Sequence, residues 1–190
     1  MKTLVTNTMY RLRISTDGAC EPNPGLGSWA AVLRDLRPGG KYKEISGVDP
    51  DATTNNRMEL HAVIAALSIL RVPCEIEIRT DSAYVCNAFK QRWIDGWIAN
   101  EWITSSGKNV ANQDLWKQIL ELSKGHHITW RWVKGHANDK DNCRCDELCT
   151  QARQAYIQQF PEKYNQILQS RAKEKAQETT NESIQLQFGF

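Results

Sequence analysis

Two short stretches of the chain repeat one pattern, Leu12-x-Ile14-x-Thr16-Asp17 and Ile76-x-Ile78-x-Thr80-Asp81. Each alternates with period two, the spacing of a strand half-buried on one face, and each closes on Thr-Asp. In open α/β sheets, ligands gather beyond the carboxyl ends of parallel strands. If these strands are neighbours, Asp17 and Asp81 point into one place. Two carboxylates there repel. Protonation of one, pairing with Arg or Lys, or a bound divalent cation can compensate. Hard cations such as Mg²⁺ favour a few carboxylates completed by water and phosphate oxygens. The residue types also suit a plainer use, because Thr-Asp-Gly and Thr-Asp-Ser both cap turns or helices. Glu59, in the first turn of an apolar helix, and Asp146, near the start of another, are unremarkable where helix dipoles favour acids. His136, in a Gly-containing loop after a strand, suits a general acid–base or a solvent-exposed residue.

These residues sit at the ends of elements whose patterns the sequence also carries. Tyr10 to Thr16 predicts a first strand, followed by a turn at Glu21-Pro22-Asn23-Pro24-Gly25. Ser28 to Arg34 and Lys41 to Ser46 predict two more strands in hairpin-like connection around Pro38-Gly39-Gly40. Thr54 or Asn55 can cap a helix running to Leu70, with Leu60, Val63, Ile64, Leu67 and Leu70 on one face and Pro73 beyond its end. Cys74 to Thr80 is a strand, helices follow near 82–90, 93–100 and 112–123, and His127 to Val133 is the last strand. A final helix starts near Asp141 and continues towards Phe160. The order β-β-β-α-β-α-β-α implies a five-stranded mixed sheet, three strands antiparallel and two added in parallel, with helices on both faces.

The chain has 190 residues, 41 % apolar and 24 % charged, with a net charge of +2, enough for one well-buried domain. We assign residues 1–9 to a lead, 10–160 to the domain and 161–190 to a polar extension ending in an apolar peptide. The charge balance permits a polyanionic partner without requiring one. No apolar run reaches the roughly 20 residues of a membrane span, and Met1 to Asn7 lacks a signal peptide's apolar stretch, so a cytoplasmic protein is expected. Among six cysteines only Cys143, Cys145 and Cys149 cluster, with His136 the nearest histidine. Zinc sites usually show two close pairs of ligands, so reduced, partly buried thiols are the better reading.

Six motifs, in order across about residues 10–155, resemble type 1 ribonuclease H. They are Thr16-Asp17-Gly18, Asn23-Pro24-Gly25, Thr54-Asn55-Asn56-Arg57-Met58-Glu59-Leu60, Thr80-Asp81-Ser82, Trp130-x-Trp132-Val133-Lys134-Gly135-His136 and Cys145-Asp146-Glu147-Leu148. The resemblance implies the ribonuclease H-like fold and hydrolysis of the RNA strand of RNA–DNA hybrids by two Mg²⁺ ions, Mn²⁺ being a possible substitute. Products would carry 5′-phosphate and 3′-hydroxyl ends. It assigns Asp17 to both metals, Asp146 to the side that activates water, and Glu59 and Asp81 to the leaving 3′ oxygen. His136 would assist proton transfer or product release. Cys20, Asn23, Thr54, Asn55 and Asn56 match positions along the hybrid's minor groove, where 2′-hydroxyls distinguish RNA from DNA. Residues 90–102 match a protrusion that grips the DNA strand, with Trp93 the expected DNA contact and Trp97 and Trp102 packing.

The chain departs from that family where it would hold nucleic acid. Ile98-Ala99-Asn100-Glu101 stands where several Lys or Arg are common, Ala83 where a groove-contacting Gln is common, and Gly96 where an Asn often holds a phosphate. Fewer phosphate contacts imply weaker, less salt-sensitive binding. The end, Gln185-Leu186-Gln187-Phe188-Gly189-Phe190, resembles a bacterial sliding-clamp-binding peptide through Gln185, Leu186, Phe188 and Phe190. A clamp partner would raise the local concentration of substrate. A monomer is expected. Two other readings compete with the hybrid nuclease. One is a catalytically weak hybrid-binding module tethered to a replication partner, and the other is a related-fold nuclease acting on DNA.

Overall fold

The computed structural model describes residues 9–135 and 139–188, with side chains described through residue 177. Five strands form one sheet: β1 Tyr10–Glu21, β2 Gly25–Asp35, β3 Tyr42–Thr53, β4 Cys74–Thr80 and β5 His127–Trp132, in the order β3-β2-β1-β4-β5. β1, β2 and β3 are antiparallel neighbours, while β1, β4 and β5 run parallel. The echoed stretches pair with each other, Leu12 opposite Ile76, Ile14 opposite Ile78 and Thr16 opposite Thr80. β1 is longer than its alternation predicts. Beyond Thr16 it leaves β4 and stays extended against β2, with Asp17 opposite Ala30 and Glu21 opposite Leu26. β3 likewise runs past Ser46, to Thr53.

The period-two pattern sorts side chains onto two faces. On one, Ile14, Ala31, Leu33, Ile76 and Ile78 meet α1 (Asn55–Ser68) and α4 (Gln113–Ser123), with Trp116 fully buried among them. Phe89 of α2 (Ala83–Lys90) stacks on Trp130 at 3.9 Å between ring centroids. On the other face, Ala30 and Val32 meet Cys145, Leu148 and Cys149 of α5 (Lys140–Gln159). Helix α3 (Trp93–Ala99) sits against the first core through Ile94. The last helix, α6, spans Pro161–Phe188, beginning at a proline suited to a first helical turn. No helix among the described residues is long and apolar enough to cross a membrane.

Helix α1 starts where its sequence says: Thr54 is extended, and its side chain accepts from the Arg57 N–H at 3.4 Å. Glu59 falls in the second turn of that helix, so its place does not depend on the positive end of the dipole. All six cysteines are free thiols.

Candidate active site

The parallel pairing of β1 and β4 ends at Thr16 and Thr80, and the next residue on each is an aspartate. Asp17 is buried, and its Oδ1 accepts the Gly18 N–H at 2.9 Å. Asp81 is fixed from behind. The Thr80 carbonyl accepts the Val133 N–H at 3.0 Å, and the Asp81 carbonyl accepts the Trp132 indole N–H at 2.9 Å. Gly135 passes so close that a Cβ there would lie 2.4 Å from Asp81 Oδ2. A side chain at Gly135 would therefore have to displace the Asp81 carboxylate from its present position.

Glu59 arrives from above the sheet. A Cβ on Gly18 would lie 2.2 Å from both the Glu59 nitrogen and the Met58 carbonyl carbon, so the missing side chain lets α1 rest directly on β1. Oxygens of Asp17, Glu59 and Asp81 then lie within 4.8 Å of one another. Glu59 is partly exposed as a residue, yet its Oε2 is enclosed and finds no hydrogen-bond partner among the described residues. Burial, then the charges of Asp17 and Asp81, raise its pKa well above the ordinary carboxylate value.

Asp146 arrives from below. Helix α5 lies on β1 through two thiols: Cys145 donates to the Ser15 carbonyl at 3.2 Å and Cys149 to the Asp17 carbonyl at 3.5 Å. Burial first, then the Asp17 charge, push both thiols far above their usual pKa, so they act as small neutral donors. The four acids line one concavity of about 310 Å³. An enclosed carboxylate oxygen, unpartnered among the described residues and beside two further acids, belongs to the oxygen donor set that a hard divalent cation fits.

The nearby hairpin brings three more of the expected residues together. The Cys20 N–H donates to Asn55 Oδ1 at 2.7 Å, the Asn55 N–H donates to Asn23 Oδ1 at 3.3 Å, and the Cys20 thiol donates to the Thr53 carbonyl at 3.1 Å. Cys20 and Asn55 line the concavity, and Asn56 is exposed beside them. The Thr54 hydroxyl is used as the helix cap. Trp93 is not part of this cluster. It is half-buried against the core like Trp97 and Trp102, its indole donating to Gln91 Oε1 at 3.1 Å. His136 lies outside the described residues, as do Phe190 and the side chains of Gln185, Leu186 and Phe188.

Three features of the site escape a motif-by-motif reading. Trp132 and Gly135 act on Asp81 through contacts that strand pairing creates, and Arg153 lines the concavity two helical turns beyond Asp146. The helical spacing between Asp146 and Arg153 was the available signal for the last.

A sequence model of the RNase H family matches residues 10–154. The ribonuclease H of Zymomonas mobilis is 54 % identical over 146 residues, 77 % of this chain and 90 % of that protein. A Thermoanaerobacter ribonuclease H is 49 % identical over 157 residues, 83 % of this chain and 99 % of its own. Among solved structures, a type 1 RNase H with the type 2 active-site motif superposes with a TM-score of 0.67 at 28 % identity, covering 76 % of this chain and 72 % of that one. An RNase H1 solved in complex with RNA/DNA hybrid shares the fold at a TM-score of 0.57 and 22 % identity, covering 77 % and 99 %.

Proposed function

The chain belongs to the ribonuclease H family, and from that premise we propose that it hydrolyses the RNA strand of RNA–DNA hybrids with two Mg²⁺ ions, leaving 5′-phosphate and 3′-hydroxyl ends. One observation carries the site assignment. Asp17, Glu59 and Asp81 converge to within 4.8 Å, with Glu59 Oε2 enclosed and unpartnered among the described residues, in a concavity that Asp146 also lines. Divalent cations, when bound, neutralise the phosphate and lower the pKa of water. The chain's own residues supply the rest. Asp17, buried and with Oδ1 accepting the Gly18 N–H, would hold the cations together with the neighbouring acids. Glu59 and Asp81, brought in from α1 and β4, would hold the cation on the side of the leaving oxygen, and Asp146 on α5 would hold the one on the side of the attacking water. His136 is proposed to move a proton or release product.

Specificity for RNA is assigned to the hairpin beside the acids. Cys20, Asn23 and Asn55 are locked to each other through backbone and amide hydrogen bonds, a rigid edge against which 2′-hydroxyls can be read. Asn56 and Thr54 belong to the same edge, and Trp93 to the DNA-strand side. On the same footing, residues 10–160 form the catalytic domain of a cytoplasmic monomer. The peptide from Gln185 to Phe190 is proposed to bind a sliding clamp.

The test is cleavage of a labelled hybrid by wild type beside Asp17→Asn, with and without Mg²⁺. Mg²⁺-dependent cutting of the RNA strand by wild type alone is expected. Equal cutting of a substrate with DNA in place of the ribonucleotide at the scissile position would overturn the hybrid reading.

A further inference from the structure

The wall that α5 contributes to the acid concavity carries a cation that the reading above does not use. Arg153 is the only cation among the described residues lining that concavity with Asp17, Glu59, Asp81 and Asp146. Its side chain is 13 % exposed. Nη1 donates to the hydroxyl of fully buried Ser28 at 3.3 Å, and Nη2 donates to Glu21 Oε2 at 2.9 Å. These two partners differ in kind. Ser28 is held inside β2 and cannot leave, whereas the Glu21 side chain is 75 % exposed at the end of β1. An exposed carboxylate on a guanidinium is weakly held, and a phosphodiester presents the same paired oxygens to the same planar fork. A guanidinium also has more N–H donors than these two bonds use.

We propose that Arg153 is a substrate-binding residue. On binding, its guanidinium exchanges Glu21 for the phosphate of the RNA strand next to the one that is cut, while Ser28 keeps it aimed. Glu21 occupies the phosphate position in the free protein and competes with the substrate for it. The proposal rests on the hybrid-nuclease reading. It also supplies a phosphate contact beside the reacting centre in a chain whose protrusion has cations at Lys90 and Arg92 but none across Ile98-Ala99-Asn100-Glu101.

The experiment measures kcat and KM on a labelled RNA–DNA hybrid in Mg²⁺ across a series of KCl concentrations, for wild type, Arg153→Ala, Arg153→Lys and Glu21→Gln. Arg153→Ala is expected to raise KM about tenfold at low salt. It should also flatten the dependence of log KM on log[KCl] by about 0.9, the release from one phosphate contact, with kcat changing far less. Arg153→Lys should recover most of that slope, being the same charge without the fork. Glu21→Gln should lower KM severalfold and keep the slope.

A residue that merely clips α5 to the hairpin would lower the unfolding midpoint and leave the salt slope alone. Arg153→Ala with the wild-type slope therefore overturns the proposal. So does Glu21→Gln with an unchanged or raised KM, which decides the matter even if Arg153→Ala does not fold. Wild type that leaves the hybrid uncut in Mg²⁺ would sink the nuclease reading instead. Fluorescence anisotropy of the hybrid with the same variants, over the same salt series, would still decide whether Arg153 contacts phosphate.

Discussion

Glu59 and Glu77 approach the same pair of parallel strands from opposite faces and meet opposite surroundings. Glu77, on β4, lies 2.6 Å from Arg79, 3.2 Å from Arg13 and 3.5 Å from Arg131, and Arg79 reaches on to Asp139 at 2.9 Å. Burial pushes Glu77 up, but the hydrogen bonds and charges of Arg79 and Arg13 outweigh it and hold its pKa below the ordinary value. Glu59 faces two aspartates, its Oε2 has no hydrogen-bond partner among the described residues, and its pKa is raised. Buried polar atoms are usually satisfied, and this chain satisfies them readily where an acid serves the fold. A cluster of acids at the end of the same strands, with one enclosed carboxylate oxygen unpartnered among the described residues, therefore marks where a ligand would complete the structure.

The largest break of that contrast is at the centre of the cluster. Asp17→Asn should lower kcat on a hybrid by about 10³-fold or more, roughly 4 kcal/mol of transition-state stabilisation. In metal-free buffer its unfolding midpoint should hold or rise, because one repelling charge is gone. Loss of activity accompanied by a lower midpoint would instead mean that Asp17 serves the fold. Gly18→Ala tests how the cluster is assembled. Its Cβ must displace the backbone of Met58 and Glu59, so a loss of about 3 kcal/mol is expected in urea unfolding, with activity falling as α1 shifts. Wild-type stability in this variant would show that the close approach does not place Glu59.

How much of this could be read from the chain alone follows the range of the contacts involved. The echo between Leu12–Asp17 and Ile76–Asp81 marked two strands of like pattern, because alternation and residue type are local, but that they are parallel neighbours, and in which register, is decided by their pairing. The continuation of β1 through Ala19 and Cys20 was not legible, since nothing in Gly18-Ala19-Cys20 alternates and only pairing with β2 keeps it extended. Glu59 and Asp146 joined the site through the family resemblance rather than through spacing. Their convergence depends on contacts distant in sequence: α1 against Gly18, and the thiols of Cys145 and Cys149 against carbonyls of β1. Trp132 was quoted inside a motif, but its bond to the Asp81 carbonyl exists only once β5 lies beside β4.

A cation should reverse the energetics of the cluster. With Mg²⁺ about a hundredfold above its dissociation constant, wild type should gain about 2–3 kcal/mol in thermal or urea unfolding. In metal-free buffer Glu59→Gln should be more stable than wild type by about 0.5–2 kcal/mol, since it removes the charge that burial, Asp17 and Asp81 oppose. The variant should lose most of the gain from Mg²⁺. A full Mg²⁺ response in Glu59→Gln would remove Glu59 from the cation site.

The smallest effect is expected at the satisfied acid, and it runs the other way. The folded pKa of Glu77 lies below its ordinary 4.5, so its contribution is present in full above 4.5 and is lost as pH falls below that value. Glu77→Gln should therefore cost about 1 kcal/mol at neutral pH, more than an exposed pair because Glu77 is only 28 % exposed and serves three arginines. Urea unfolding across pH should show the two proteins converging well below 4.5, where wild type is protonated too. A difference that persists there would be steric, and the ion-pair account of Glu77 would fail. Convergence in acid for Glu77→Gln, set beside a gain at neutral pH for Glu59→Gln, would separate an acid that serves the fold from one that awaits a ligand by the sign of a single charge's removal.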